Sequence, residues 1–252
     1  MRVPLNGPDG SVSFVVLHAH WSAHDSRTEV PPSGLLPYRP GRARPYLYSN
    51  DEILKLLQAT RRLPSVHGLR GPTYYSLLGL LAVAGLRISE ARNLQTEDVD
   101  LKKGVLTIRG TKFGKSRLVP IHPSTCKVLS DYATRRDRFL GRQPATFFVS
   151  GRGTRLDGAE IRRTFYFLSR QIGLRGPSDS HGPRLHDFRH RFAVETLVQW
   201  YRSGQDVERR LPVLSTYLGH VHVADTYWYL SACPELMGLA VKRFEDYWEK
   251  QS

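Results

Sequence analysis

The sequence predicts a mainly α-helical α+β fold with one small antiparallel sheet near its middle. Two observations carry this reading. Apolar residues recur at helical spacing in the segments before residue 95 and after residue 123. Between them the period shortens to two, over Gly104-Val-Leu-Thr-Ile-Arg109 and Ser116-Arg-Leu-Val-Pro-Ile121. With 252 residues the chain can hold one large domain or two small ones and bury an ample core.

Residues 1–45 read as an extended or disordered arm. They carry Pro4, Pro8, Pro31, Pro32, Pro37, Pro40 and Pro45 and end in the basic linker Tyr38-Arg-Pro-Gly-Arg-Ala-Arg-Pro45. Order is expected from Tyr48-Ser-Asn-Asp-Glu52, where a capping residue and first-turn acids open the helix Ile53–Thr60. A strongly apolar helix follows over Tyr74–Leu86, then a short one over Ser89–Leu94. The two period-two stretches form strands flanking the loop Gly110-Thr-Lys-Phe-Gly-Lys115, and Phe147-Phe-Val149 is read as a third strand. Further helices are expected at Ser124–Leu140, with Ser124 as the cap, and at Gly158–Ile172, His186–Tyr201, Val207–Leu218 and Pro234–Trp248.

The charge balance is unusual: 37 Lys and Arg against 23 Asp and Glu give a formal charge of +14. Such an excess favours a polyanionic partner, because each cation that neutralises a phosphate releases condensed counterions. Cys126 and Cys233 lie far apart and offer neither a disulfide framework nor zinc-ligand spacing, which suits a reducing cytoplasm. The longest apolar run, Leu77–Leu86, is interrupted by Gly79 and is too short to span a bilayer. The N-terminus shows no apolar signal segment.

Three strings could carry chemistry. Arg87 in Gly85-Leu-Arg-Ile-Ser-Glu90 stands at the join of two helices, where it could equally pair with Glu90 for structural reasons. Lys112 occupies a hairpin tip, an ordinary place for an exposed lysine but one with reach. In Leu185-His-Asp-Phe-Arg-His-Arg191, His186 and Arg189 are three apart and share a helical face, a spacing that also arises by chance. Phosphate-binding loops, dinucleotide fingerprints and nucleophile elbows are missing. His220-Val-His222 lacks a third ligand, and carboxylates near these strings are sparse, so no metal or other cofactor is expected.

The order of the strings is more telling than any one of them. Gly85-Leu-Arg-Ile-Ser-Glu90, Lys112, Arg117-Leu-Val-Pro120, His186-Asp-Phe-Arg189, Leu218-Gly-His220 and then Tyr229 together resemble the tyrosine recombinase (phage integrase) family over residues 46–252. The resemblance implies that family's catalytic-domain fold and a six-residue site. Arg87 and Arg189 would clamp the non-bridging oxygens of a scissile phosphate, a task suited to a permanently charged planar fork. Tyr229 would attack phosphorus to form a 3′-phosphotyrosine, His186 would handle its proton, Lys112 would protonate the departing 5′-oxygen, and His220 would donate a hydrogen bond to the phosphate. Glu90 would orient an arginine. Tyr227 competes for the nucleophile's role, but family spacing favours Tyr229, and helical geometry sets the two about 200° apart, leaving Tyr227 as a packing residue.

The partner so implied is double-stranded DNA, cut and rejoined in integration or transposition by copies of this chain or related protomers. Asp225-Thr-Tyr-Trp-Tyr-Leu230 looks more like mobile-element integrases than chromosome-dimer resolvases. Residues 1–45 do not resemble the helical core-binding domain that usually precedes the catalytic domain, and this leaves two alternatives: a truncated DNA-binding module, or a type IB topoisomerase-like relaxing enzyme. The C-terminal helix Pro234–Trp248 is amphipathic and could pack in cis or on a neighbour.

Overall fold

The computed structural model describes residues 45–66, 68–110, 116–222 and 224–249. Of the predicted arm, only Pro45 falls within them. Helix α1, Asn50–Thr60, opens on a reciprocal cap: Ser49 Oγ accepts the Glu52 N–H at 3.2 Å, and Glu52 Oε2 accepts the Ser49 N–H at 2.7 Å. Helix α2, Arg70–Ala84, starts earlier than its apolar run suggests, because Pro72 fits a first turn that needs no N–H from it. It is buried on nearly every side through Tyr74, Leu77, Leu78, Leu80, Leu81 and Ala84, and packs against α1, α4 (Pro123–Leu140) and α6 (Asp187–Arg202). Between α2 and the sheet lies α3, Ile88–Asn93.

The sheet has three antiparallel strands in the order β1 (Val99–Asp100), β2 (Val105–Ile108), β3 (Arg117–Pro120). Leu106 pairs with Val119 and Ile108 with Arg117, so Leu106, Ile108 and Val119 face the core. The third strand is therefore Val99–Asp100 rather than Phe147-Phe-Val149. That run makes an isolated bridge from Val149 to Arg155; its rings pack into the core, edge-on to each other at 5.0 Å and beside Tyr132. Its apolarity reflects burial, not strand pairing.

Helix α4 carries Pro123 at its start, and His122, not Ser124, is its cap: Nδ1 accepts the Ser124 N–H at 3.3 Å. Helix α5, Gly158–Gln171, is capped by Asp157, and α7, Val207–Leu218, by Asp206. Between α7 and α9 (Pro234–Glu249) stands α8, Ala224–Ala232, a nine-residue helix that the sequence reading did not list among its elements. Helix α9 packs on α6, with its Leu236 and the preceding Cys233 buried and its Met237 and Val241 exposed.

Two apolar clusters form the interior. One surrounds α2 and reaches Leu106, Phe165 and Phe188; the other joins α6 to α9 through Leu197, Leu211, Leu218, Tyr229 and Leu236. Tyr217 packs against both. No helix of the described residues is long and apolar enough to cross a membrane.

Candidate active site

Five of the six predicted residues converge on the seam between these clusters. Lys112, the sixth, lies outside the described residues.

Helix α2 ends at Gly85, whose φ of 58° needs no Cβ; a Cβ there would lie 2.5 Å from Phe192 Cδ1. The chain turns, and Arg87 becomes the extended residue ahead of α3. Its Nη1 bonds Glu90 Oε1 at 3.0 Å, and its Nη2 donates to Gly219 O at 3.2 Å. Arg189, on α6, is 1% exposed. It donates from Nη1 to Gly85 O at 3.0 Å and from Nη2 to Leu218 O. These are the carbonyl ends of α2 and α7, whose partial negative charges offset the cost of burying a guanidinium. Burial, and then the neighbouring charge of Arg87, push the Arg189 pKa down to about 10 against the opposing pull of Tyr229 and Glu90. It remains a cation at neutral pH.

Gly219, with φ of 68°, ends α7 and aims His220 back toward the seam. The His220 N–H bonds Ser215 O at 3.0 Å, and its Nδ1 lies 2.7 Å from Oγ1 of the fully buried Thr226 on α8. The His220 ring stacks on Tyr229 at 5.9 Å and 21°. His190 bridges the other side: its ring lies 5.5 Å from Tyr229 and 4.6 Å from His186. Tyr229 is 2% exposed, whereas Tyr227 is 53% exposed. Their opposed directions agree with helical geometry, but Tyr227 is a surface residue and not the packing residue expected.

His186 directly precedes α6 and keeps part of its surface exposed. Its turn is held by buried Asp187, which accepts the Arg184 N–H at 2.7 Å, and by buried Arg175, which donates to Pro183 O. Partial burial, then the charge of Arg189, push its pKa down to about 4, with Arg87 and Arg184 adding to the effect and Asp187 opposing it. The imidazole is therefore neutral at pH 7 and able to accept a proton.

Glu90 orients arginines as expected, but it serves two. Arg117, quoted in the sequence only as part of a string, binds it through both terminal nitrogens at 2.9 and 3.0 Å. The sequence signal for this was weak: an arginine at the start of a strand. The other histidine of the pair once weighed as metal ligands, His222, is exposed.

A family model described as the phage integrase family matches residues 47–235, three quarters of the chain. The chain belongs to the phage integrase family. It is 61% identical over 236 residues to a Sinorhizobium fredii protein described as integrase/recombinase y4rB, covering 92% of this chain and 75% of that one. Among solved structures, the XerA recombinase superposes with a TM-score of 0.62 at 25% identity, covering 94% of this chain and 76% of that one. The Tn1549 transposon integrase, solved with transposon right-end DNA, has a TM-score of 0.62 at 16% identity, covers 95% of this chain and 78% of that one, and shares the fold. In this integrase-family fold, the α2–α3 join delivers Arg87, the start of α6 delivers His186 and Arg189, the end of α7 delivers His220, and α8 delivers Tyr229.

Proposed function

We propose that this integrase-family chain is a site-specific recombinase of a mobile element, cleaving and rejoining double-stranded DNA through a 3′-phosphotyrosine at Tyr229. The observation that carries the reading is one arrangement: a buried phenol stacked on His220, beside the field of Arg189, where Arg87 and Arg189 meet at the end of α7. In this reading the six positions take the roles that the family resemblance implies. Arg87 and Arg189 hold the two non-bridging oxygens, whose charge grows as phosphorus becomes five-coordinate, so donors already fixed on backbone carbonyls favour the transition state. Tyr229 Oη forms the new P–O bond while the P–O5′ bond breaks. The phenolic proton passes to neutral His186, Lys112 protonates the departing 5′-oxygen, and His220 donates a hydrogen bond to the phosphate. A 5′-hydroxyl of a partner strand then reverses the step, and the linkage conserves the bond energy, so no ATP is required.

The +14 charge supports an extended phosphate partner. The same reading assigns residues 46–252 to a catalytic domain that acts in the cytoplasm within an assembly of identical or related protomers on DNA.

The test is a nicked suicide duplex carrying the ends of the native element, scored for a protein–DNA adduct that survives denaturant. A covalent adduct at those ends is expected. Salt-sensitive binding without an adduct identifies a DNA-binding module instead, and site-independent relaxation of supercoiled plasmid by a monomer identifies a topoisomerase-like enzyme.

The pH dependence follows from His186. With its pKa pushed below the ordinary 6.5 to about 4, the proton-accepting form is lost only as pH falls through that window. Adduct formation is expected to keep its rate from pH 7 to below pH 6 and to decline toward pH 4. An acid limb centred at 6.5 or above in the wild type contradicts the assignment, as does an unchanged limb in His186→Gln.

A further inference from the structure

Resting on that reading, we propose that Arg117 is a positioning residue that keeps Arg87 available to the scissile phosphate by taking up the charge and hydrogen-bonding capacity of Glu90.

The geometry is a fork between two arginines. Glu90 Oε1 accepts from Arg87 Nη1 and from Arg117 Nη1, both at 3.0 Å. Oε2 accepts from the Arg87 backbone N–H and from Arg117 Nη2, both at 2.9 Å. The Glu90 and Arg117 side chains are 7% and 9% exposed, while Arg87 keeps 30%. The inner arginine is thus sealed against the carboxylate, and the outer one retains an open face. Arg117 Nε also donates to Tyr217 O at 2.7 Å in the last turn of α7, and a Cβ at Gly219 would lie 2.9 Å from its Nη1. It is fixed on two sides before any substrate arrives.

Charge decides what this fixing does. Burial alone would raise the Glu90 carboxyl; the hydrogen bonds from Arg117 and the Arg87 N–H, with both positive charges, outweigh it and hold the group below the usual carboxylate range. Glu90 is therefore an anion beside the arginine expected to bind phosphate. Were Arg87 its sole partner, the pair would be neutral, and Arg87 would have to loosen a half-buried ion pair to engage an anion. With Arg117 present, Arg87, Arg117 and Arg189 against Glu90 carry a net charge of +2; without it the cluster falls to +1. Arg117 also opens β3, directly after the loop that carries Lys112, so the same contact ties the base of that hairpin to the α7 terminus.

A purely mechanical clamp and a charge-balancing one respond differently to a double substitution. The assay is the first-order rate of adduct formation at saturating protein on the suicide duplex, with half-saturating DNA concentration and thermal midpoint measured alongside. Arg117→Gln is expected to slow the reaction about 100-fold, comparable with loss of a transition-state donor, while half-saturation shifts far less. Adding Glu90→Gln removes the charge that Arg117 offsets and is expected to restore about tenfold of that loss, a non-additivity expected of directly coupled residues. A double variant no faster than Arg117→Gln, or an Arg117→Gln rate within about threefold of wild type, overturns the proposal while the recombinase reading stands. A wild type that forms no adduct overturns the reading itself, and the proposal with it. Should Arg117→Gln not fold, Arg117→Lys keeps the charge without the planar fork and is expected to stay within about tenfold of wild type; a loss as deep as that of Arg87→Ala overturns charge balancing.

Discussion

Tyr229→Phe abolishes the covalent adduct on a nicked suicide duplex, whereas Tyr227→Phe retains it. The first change deletes one oxygen from a ring that is 2% exposed, stacked on His220 and edge-on to His190, so the ring's packing persists and only the nucleophile is lost. No accessible group replaces it, and the expected loss is complete on the scale of the assay. Tyr227 faces away, 53% exposed, and losing its hydroxyl costs at most about 0.5 kcal/mol of stability, as for other surface substitutions. DNA binding should survive in both variants, because the phenol contributes nothing to the basic surface. Adduct persistence in Tyr229→Phe, or its loss in Tyr227→Phe alone, contradicts the assignment.

Arg189→Ala is expected to damage both chemistry and fold. The guanidinium is 1% exposed and serves two helix ends, so its removal takes the side-chain donor from Gly85 O and leaves Leu218 O with only the longer 3.4 Å bond from Arg87 Nη1. Leaving a buried acceptor unpaired costs about 1–3 kcal/mol, and denaturant unfolding should register that loss. The rate of adduct formation should fall about 10²–10³-fold beyond any loss of folded protein, as when a preorganised oxyanion donor is removed. Arg189→Lys repairs little of this, because one ammonium on a flexible stem cannot reproduce a fork that spans two carbonyls. A variant Arg189→Lys with wild-type rate and stability contradicts the account.

Much of this was legible in the sequence where local chemistry decides the structure. Ser49 and Glu52 announce their reciprocal cap, and the glycine-containing loop between two alternating runs announces the hairpin. The six candidate site positions came from the order of their strings, which resembles a family pattern, and five of them meet at one seam while Lys112 lies outside the described residues. Elsewhere tertiary packing overrode the local pattern. Phe147-Phe-Val149 has strand composition, yet the core claims its rings through Tyr132 and the fully buried Arg136, which donates to Phe147 O at 2.7 Å. Helix α8 carries Tyr227, Trp228 and Tyr229 in a row, a composition that favours strands, and it is helical because it packs against α6 and α7. Arg117 was least legible. Its importance lies in meeting Glu90 across 27 positions of sequence, and no local pattern encodes such a meeting.

The central claim is that Tyr229 is the residue joined to DNA. The adduct trapped on the suicide duplex can be digested with protease and nuclease and its peptides sequenced by tandem mass spectrometry. A nucleotide 3′-phosphate is expected on Tyr229 and none on Tyr227. A nucleotide on Tyr227, Tyr217 or any other side chain contradicts it.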